Sequence, residues 1–116
     1  MENKCIIEIS TRAYFSIKEC VSFVNNVSNI AAKELYKEIL SSINSLTIYP
    51  NKYPEVDGLS IKNAVIRKMT IHKGRYAILY KLEGNVIFIY DVIDIRKECY
   101  LCLEKKWNLF NILYNI

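Results

Sequence analysis

The second half of the chain contains three β-prone runs with very little sequence between them. They lie at about 64–72, 75–82 and 86–95, and Gly74 and Gly84 mark the two junctions. Glycine readily adopts the positive φ angles that tight hairpin turns require. Because runs joined by such short turns readily pair with their neighbours in the chain, the sequence predicts a three-stranded antiparallel meander.

The middle run of this meander alternates between two faces. One face receives Tyr76, Ile78, Tyr80 and Leu82, and the other receives Ala77, Leu79 and Lys81. Both faces are largely apolar, so we expect the central strand to be covered on each side.

The first 50 residues predict a short strand followed by two helices. Residues 5–9 are rich in β-branched isoleucine, and Ser10 or Thr11 is suited to cap a helix over 12–27. Ser28 or Asn29 restarts the helical pattern, whose apolar face consists of Ala32, Leu35, Tyr36, Ile39, Ile43 and Leu46. This second helix must end before Pro50, since proline disfavours the α conformation in the residue before it. The short connection predicts an antiparallel helical hairpin.

Residues 49–63 contain both prolines and little periodicity, so we expect a loop that crosses from helices to sheet. The fold class is therefore α+β, in one domain over 1–116. In the extension 98–116, the large apolar residues fall on one helical face: Leu103, Trp107, Phe110 and Leu113 or Tyr114. This pattern predicts a third, C-terminal helix, which either closes the core or faces a partner.

Net charge and cysteine content place only broad limits on the partner, the cellular compartment and metal binding. The net charge of +4 is compatible with nucleic acid, an acidic protein or no charged partner at all. The N-terminus lacks the apolar run of a secretion signal and no stretch is long enough to span a membrane, which favours a cytoplasmic protein with reduced thiols. Cys99 and Cys102 have the spacing of half a zinc site, but no second pair accompanies them. We therefore expect neither a metal nor a cofactor.

Several segments, in this order, resemble the RelE/ParE superfamily of toxins from bacterial type II toxin–antitoxin modules. The resemblance covers roughly residues 5–97. Its most specific parts are Ser42-Ile43-x-x-Leu46-x-x-x-Pro50 with Tyr53-Pro54, Arg67-Lys68, Tyr76-Ala77-Ile78-Leu79-Tyr80, and Val92-Ile93-Asp94-Ile95-Arg96.

The resemblance implies one of two activities. RelE-like toxins enter the ribosomal A site and cut mRNA, with the substrate's 2′-hydroxyl attacking the adjacent phosphate, which requires cations around the transition state. ParE-like toxins inhibit DNA gyrase and need no catalytic residues. Both kinds are neutralised by an antitoxin. For this basic chain we expect an acidic antitoxin segment that lays a helix or an added strand across the helical hairpin and the sheet edge, in an oligomeric complex.

The resemblance also suggests site residues. Lys68 and Arg96 match cationic positions of the nuclease pattern, and with Arg67 they would clamp phosphate. However, Thr70 and Ala77 stand where nucleases often place a second lysine and an arginine. Loss of one preorganised cation typically costs about 3–4 kcal/mol of transition-state stabilisation. Ala77 is more similar to the ParE pattern.

Other residues provide alternatives. Lys73 and Arg75 are candidates for RNA binding, Tyr76 for base stacking, and His72 for proton transfer or simply a solvated turn position. Arg67 or Arg96 would alternatively form a structural ion pair with Asp94 or Glu98. Three hypotheses remain: a ribosome-dependent mRNA endonuclease, a non-catalytic gyrase inhibitor, and a degenerate relative that only binds an antitoxin or another protein.

Overall fold

The computed structural model describes residues 5–61 and 64–96, which form two helices and a five-stranded sheet. The elements are β1 (Ile6–Ile9), α1 (Thr11–Asn25), α2 (Asn29–Ser45), β2 (Glu55–Ile61), β3 (Ala64–Ile71), β4 (Tyr76–Glu83) and β5 (Val86–Asp94). The strand order is β1-β5-β4-β3-β2. β1 pairs in parallel with β5, and the other neighbours are antiparallel. The α+β fold class is therefore confirmed.

Serine caps begin both helices, as the sequence predicts. The Ser10 hydroxyl accepts a hydrogen bond from the amide of Ala13 at 2.9 Å, and that of Ser28 accepts one from Ala31 at 3.1 Å. Each satisfies a backbone donor that the first helical turn leaves without a partner. The Ser10 hydroxyl also donates to the carbonyl of Tyr90 at 2.7 Å. This bond ties the start of α1 to β5.

The apolar side chains form two clusters, one on each face of the sheet. Both helices contribute to the first, where Ala13, Ile17, Leu35 and Ile39 pack with residues of β3, β4 and β5 such as Met69, Ile78 and Val92. The second contains Ile66, Ala77, Leu79, Tyr90 and Ile93, and no helix of the described part contributes to it. The predicted alternation along β4 is confirmed, because Tyr76, Ile78 and Tyr80 lie on the helix face and Ala77 and Leu79 on the other.

The meander has four strands rather than three. Residues 55–61 belong to β2, which pairs with β3, so the expectation of a loop throughout 49–63 was wrong. The pairing shifts register between Glu55 and Ser60. Such an irregularity removes the strict alternation by which a strand is recognised in sequence. The predicted C-terminal helix, the Cys99/Cys102 pair and the extension 98–116 lie outside the described residues.

Candidate functional site

Arg67 lies on the helix side of the sheet, in register with Tyr80. Its Nη1 donates to the carbonyl of Tyr53 at 2.7 Å and makes a longer contact of 3.4 Å with that of Asn51. Its Nη2 lies 3.5 Å from the Glu55 carboxylate. The guanidinium therefore holds the segment before β2 in place. Among the described residues it pairs with Glu55 and not with Asp94, whereas Glu98 lies outside the described residues.

Lys68 lies on the opposite face, because successive residues of a strand point to opposite sides. It is in register with Leu79 and is partly buried. Its backbone amide donates to the carbonyl of Pro54 at 2.9 Å. Arg67 and Lys68 are therefore adjacent in sequence but directed away from each other.

Arg96 follows the end of β5 and is exposed. Its backbone amide donates to the Asp94 carboxylate at 3.0 Å. Asp94 is in register with Tyr76, and Lys68 with Leu79. Asp94 thus lies about 10 Å from Lys68 along the strand direction and about 10 Å across two strand spacings, and Arg96 follows two residues after the end of β5. Arg67 and Lys68 therefore point to opposite faces of the sheet, and Arg96 lies beyond the end of β5. These positions do not support the clamp of Lys68, Arg96 and Arg67, which stays a prediction.

The turn between β3 and β4 is an unusual backbone segment. His72, Lys73 and Gly74 all have positive φ angles, of 56°, 57° and 81°. Residues other than glycine rarely adopt positive φ angles, which cost about 1–2 kcal/mol for each such residue. Glu38 of α2 offsets this cost, since its carboxylate accepts from the His72 amide at 2.9 Å and lies 2.8 Å from the His72 Nδ1 atom. His72 is thus a tethered residue and not simply a solvated one.

The two predicted RNA-binding cations belong to the same turn. Lys73 is exposed at its tip. Arg75 lies 3.6 Å from the Asp94 carboxylate, and its guanidinium carbon lies 5.4 Å from the centre of the Tyr76 ring. Because Arg75 has these intramolecular partners, only Lys73 of the two is presented fully to solvent.

Tyr76 is not available for base stacking, so this prediction was wrong. Only 1% of the residue is exposed, and its ring packs in the helix-side core. Burial raises the pKa of Tyr76, partly offset by the neighbouring Arg75. Burial likewise raises the pKa of Tyr80 and of Tyr90 to about 12. The tyrosines of this sheet keep their protons and act as core residues.

The two departures from the nuclease pattern are cross-strand neighbours, because Thr70 of β3 is in register with Ala77 of β4. Ala77 is fully buried in the second cluster, whereas Thr70 is exposed. The position of the expected arginine is therefore occupied by a small core side chain. A cation there would have to displace apolar packing.

Sequence reasoning missed a buried ion pair between α1 and β5. The Nε of Arg12 donates to the Asp91 carboxylate at 3.0 Å, and the Asp91 side chain is only 3% exposed. Burial raises the pKa of Asp91, while hydrogen bonds from Ser16 and Arg12 act in the opposite direction. The one signal for it was a carboxylate inside the apolar run Val86–Ile93 of β5.

Within residues 5–61 and 64–96, no group of three or more histidine, cysteine, aspartate or glutamate side chains is arranged to hold a metal ion. Neither helix of these ranges has the length and apolar content that crossing a membrane requires.

The fold is similar to that of a solved chain from the "Chromosomal ParDE TA system from P. aeruginosa". The TM-score is 0.63, and the match covers 78% of this chain and 96% of the other at 12% sequence identity. At such low identity, the comparison shows a shared fold. No protein-family model and no curated protein sequence matches the chain.

Proposed function

We propose that this chain is the toxin of a bacterial type II toxin–antitoxin module and that a cognate antitoxin neutralises it. The main support is the fold, which matches a chain of a ParDE toxin–antitoxin system over 96% of that chain's length. The order of strand, helical hairpin and antiparallel meander also agrees with the sequence resemblance. The proposed compartment is the cytoplasm.

We further propose that the toxin acts by binding a target, with DNA gyrase as the candidate, and not by cutting RNA. Three observations support this choice. The expected arginine position is the buried Ala77, Tyr76 cannot stack on bases, and the cations of the predicted clamp lie apart. Contacts of Lys68, Arg96 or Lys73 with phosphate remain a prediction of the alternative, in which the chain is an mRNA endonuclease.

The proposed antitoxin segment is acidic, in keeping with the positive net charge of this chain. The proposed point of attachment is the outer edge of β1, one of the two terminal strands of the sheet, whose backbone groups can pair with an added strand.

Induced expression in bacteria tests the proposal. We expect growth arrest with filamentation and a DNA-damage response, while early translation continues, and we expect co-expression of the neighbouring antitoxin gene to restore growth. Because the proposed action does not use a phosphate clamp, Lys68→Ala and Arg96→Ala should retain toxicity. Cleavage of mRNA at codon boundaries, abolished by either substitution, would instead establish the nuclease. Absence of any growth effect would favour the degenerate relative.

A further inference from the structure

The segment between α2 and β2 presents two large apolar side chains to solvent. We define residues 46–54 as the anchored loop. Within it, Ile48 and Tyr49 are each 67% exposed and adjacent in sequence. Exposed loops are usually built from small and polar residues, so this pair is unusual for its position.

Hydrogen bonds from the sheet hold this loop in place. The hydroxyl of Tyr80 donates to the carbonyl of Pro50 at 2.7 Å, and Arg67 donates to that of Tyr53 at 2.7 Å. The backbone amide of Lys68 donates to the carbonyl of Pro54 at 2.9 Å. Tyr80 is a core residue with 0% exposure, so its hydroxyl is directed from inside the protein to this loop. The backbone beside Ile48 and Tyr49 is therefore fixed before any partner arrives.

A fixed backbone lowers the entropic cost of binding, which is the main obstacle to recognition by a loop. Tyrosine and branched aliphatic side chains are effective anchors when they enter a pocket on a partner. The anchored loop thus combines exposed apolar area with preorganisation.

The charges around the loop indicate the chemistry of the partner. Lys52 is exposed, and its Nζ lies 5.5 Å from the centre of the Tyr53 ring. The charge of Arg67 is compensated by Glu55 at 3.5 Å, so Lys52 leaves a net positive charge beside the apolar pair. A partner with carboxylates at the rim of an apolar pocket complements this arrangement.

Other classes of partner fit less well. Ile48 has no ring to stack on a nucleic-acid base. Two side chains also bury too little apolar area to hold a protein on a membrane.

We infer that Ile48 and Tyr49 insert into an apolar pocket with an acidic rim on a partner protein, and that Lys52 contacts that rim. The inference rests on the proposed function in one respect, since it identifies this partner as the protein that the toxin inhibits.

The first test is photo-crosslinking in growing cells. Tyr49 is replaced by p-benzoylphenylalanine in the full-length chain, and Val27, which is 86% exposed at the turn of the helical hairpin, is replaced in a matched control. We expect a discrete crosslinked protein from position 49 that position 27 does not yield. Mass spectrometry identifies it, and it is then purified for binding measurements.

The second test measures affinity for that purified protein. We expect Ile48→Ser/Tyr49→Ser to weaken binding about 100-fold, and the control Val27→Ser/Ile30→Ser to change it less than about threefold. Lys52→Glu should weaken it about tenfold, whereas Lys18→Glu should not. Lys18 is a matched control, because its Nζ lies 5.4 Å from the Tyr14 ring. Circular dichroism of each variant shows whether the fold is retained.

Three outcomes would overturn the inference: no crosslink from position 49, a crosslink only to a second copy of this chain or to nucleic acid, or equal affinities for the loop variant and its control. The proposed function fails separately. If the wild-type chain does not inhibit growth while the crosslink and the affinity differences are found, the loop binds a partner but the chain is not a toxin.

Discussion

Two carboxylates join the helical hairpin to the sheet, and they differ mainly in depth. Asp91 of β5 accepts from Arg12 of α1 at 3.0 Å with a side chain only 3% exposed. Glu38 of α2 contacts His72 at 2.8 Å, with both side chains more than a third exposed. Water can replace the lost partner at the exposed site but not at the buried one. Similar distances therefore imply very different contributions to stability.

The largest predicted effect comes from removing Arg12. Arg12→Ala leaves the buried Asp91 carboxylate without its cation, and we expect a loss of about 3 kcal/mol of unfolding free energy at pH 7. Burial already raises the pKa of Asp91, and losing Arg12 raises it further. The loss should therefore shrink as the pH falls below that pKa, since neutral Asp91 needs no cation. Urea unfolding at pH 7 and at about pH 4 checks this.

The double variant Arg12→Ala/Asp91→Asn provides the control for this prediction. It removes both charges, so it should be more stable than Arg12→Ala alone at pH 7. Equal stability of the two variants would show that the buried charge is not the cause.

Burial should also govern stability at alkaline pH. The pKa of Tyr80 and that of Tyr90 are raised to about 12, whereas an unfolded tyrosine loses its proton near pH 10. The folded protein therefore favours the protonated form of both tyrosines. Their contribution to the unfolding free energy is present in full below pH 10 and is lost as the pH rises towards 12. Each tyrosine contributes a slope approaching about 1.4 kcal/mol per pH unit. Unfolding free energies between about pH 9 and pH 11 should reveal this slope, and Tyr90→Phe should reduce it.

A smaller effect is expected for the bond that Tyr80 makes to the anchored loop. Tyr80→Phe keeps the ring but leaves the carbonyl of Pro50 without its donor, at a cost of about 1–2 kcal/mol. Hydrogen exchange of the Lys52 amide, which donates to the carbonyl of Tyr49, should become faster. Unchanged exchange at Lys52 would mean that the loop is fixed by other contacts.

The smallest effect is expected at the exposed contact between Glu38 and His72. Glu38→Gln retains an amide oxygen that accepts from the His72 backbone, so we expect a loss below about 1 kcal/mol. In about 1 M salt, where exposed charges are screened, the difference from wild type should shrink further. A loss of unfolding free energy comparable to that of Arg12→Ala would show that burial does not distinguish the Glu38–His72 contact from the Arg12–Asp91 ion pair.

The helical hairpin, both serine caps and the three strands after residue 63 were predictable, because their patterns are local and regular. β2 was missed, since Pro54, Gly58 and the register shift after Glu55 hide its alternation. The opposite directions of Arg67 and Lys68 follow from strand geometry alone, and the clamp hypothesis had overlooked them. The partners of Asp91 and Glu38 depend on helix placement, which a single sequence does not specify.

The parallel pairing of β1 with β5 determines when the protein can complete its fold. Ile6 is in register with Val86, about 80 positions later. At a translation speed of about 5–20 residues per second, the first strand waits roughly 4–16 s for its partner to be synthesised. Until then the apolar side of the helical hairpin has no finished sheet to cover it. A nascent chain stopped before Val86 therefore cannot form the native sheet and is a natural substrate for chaperones and proteases.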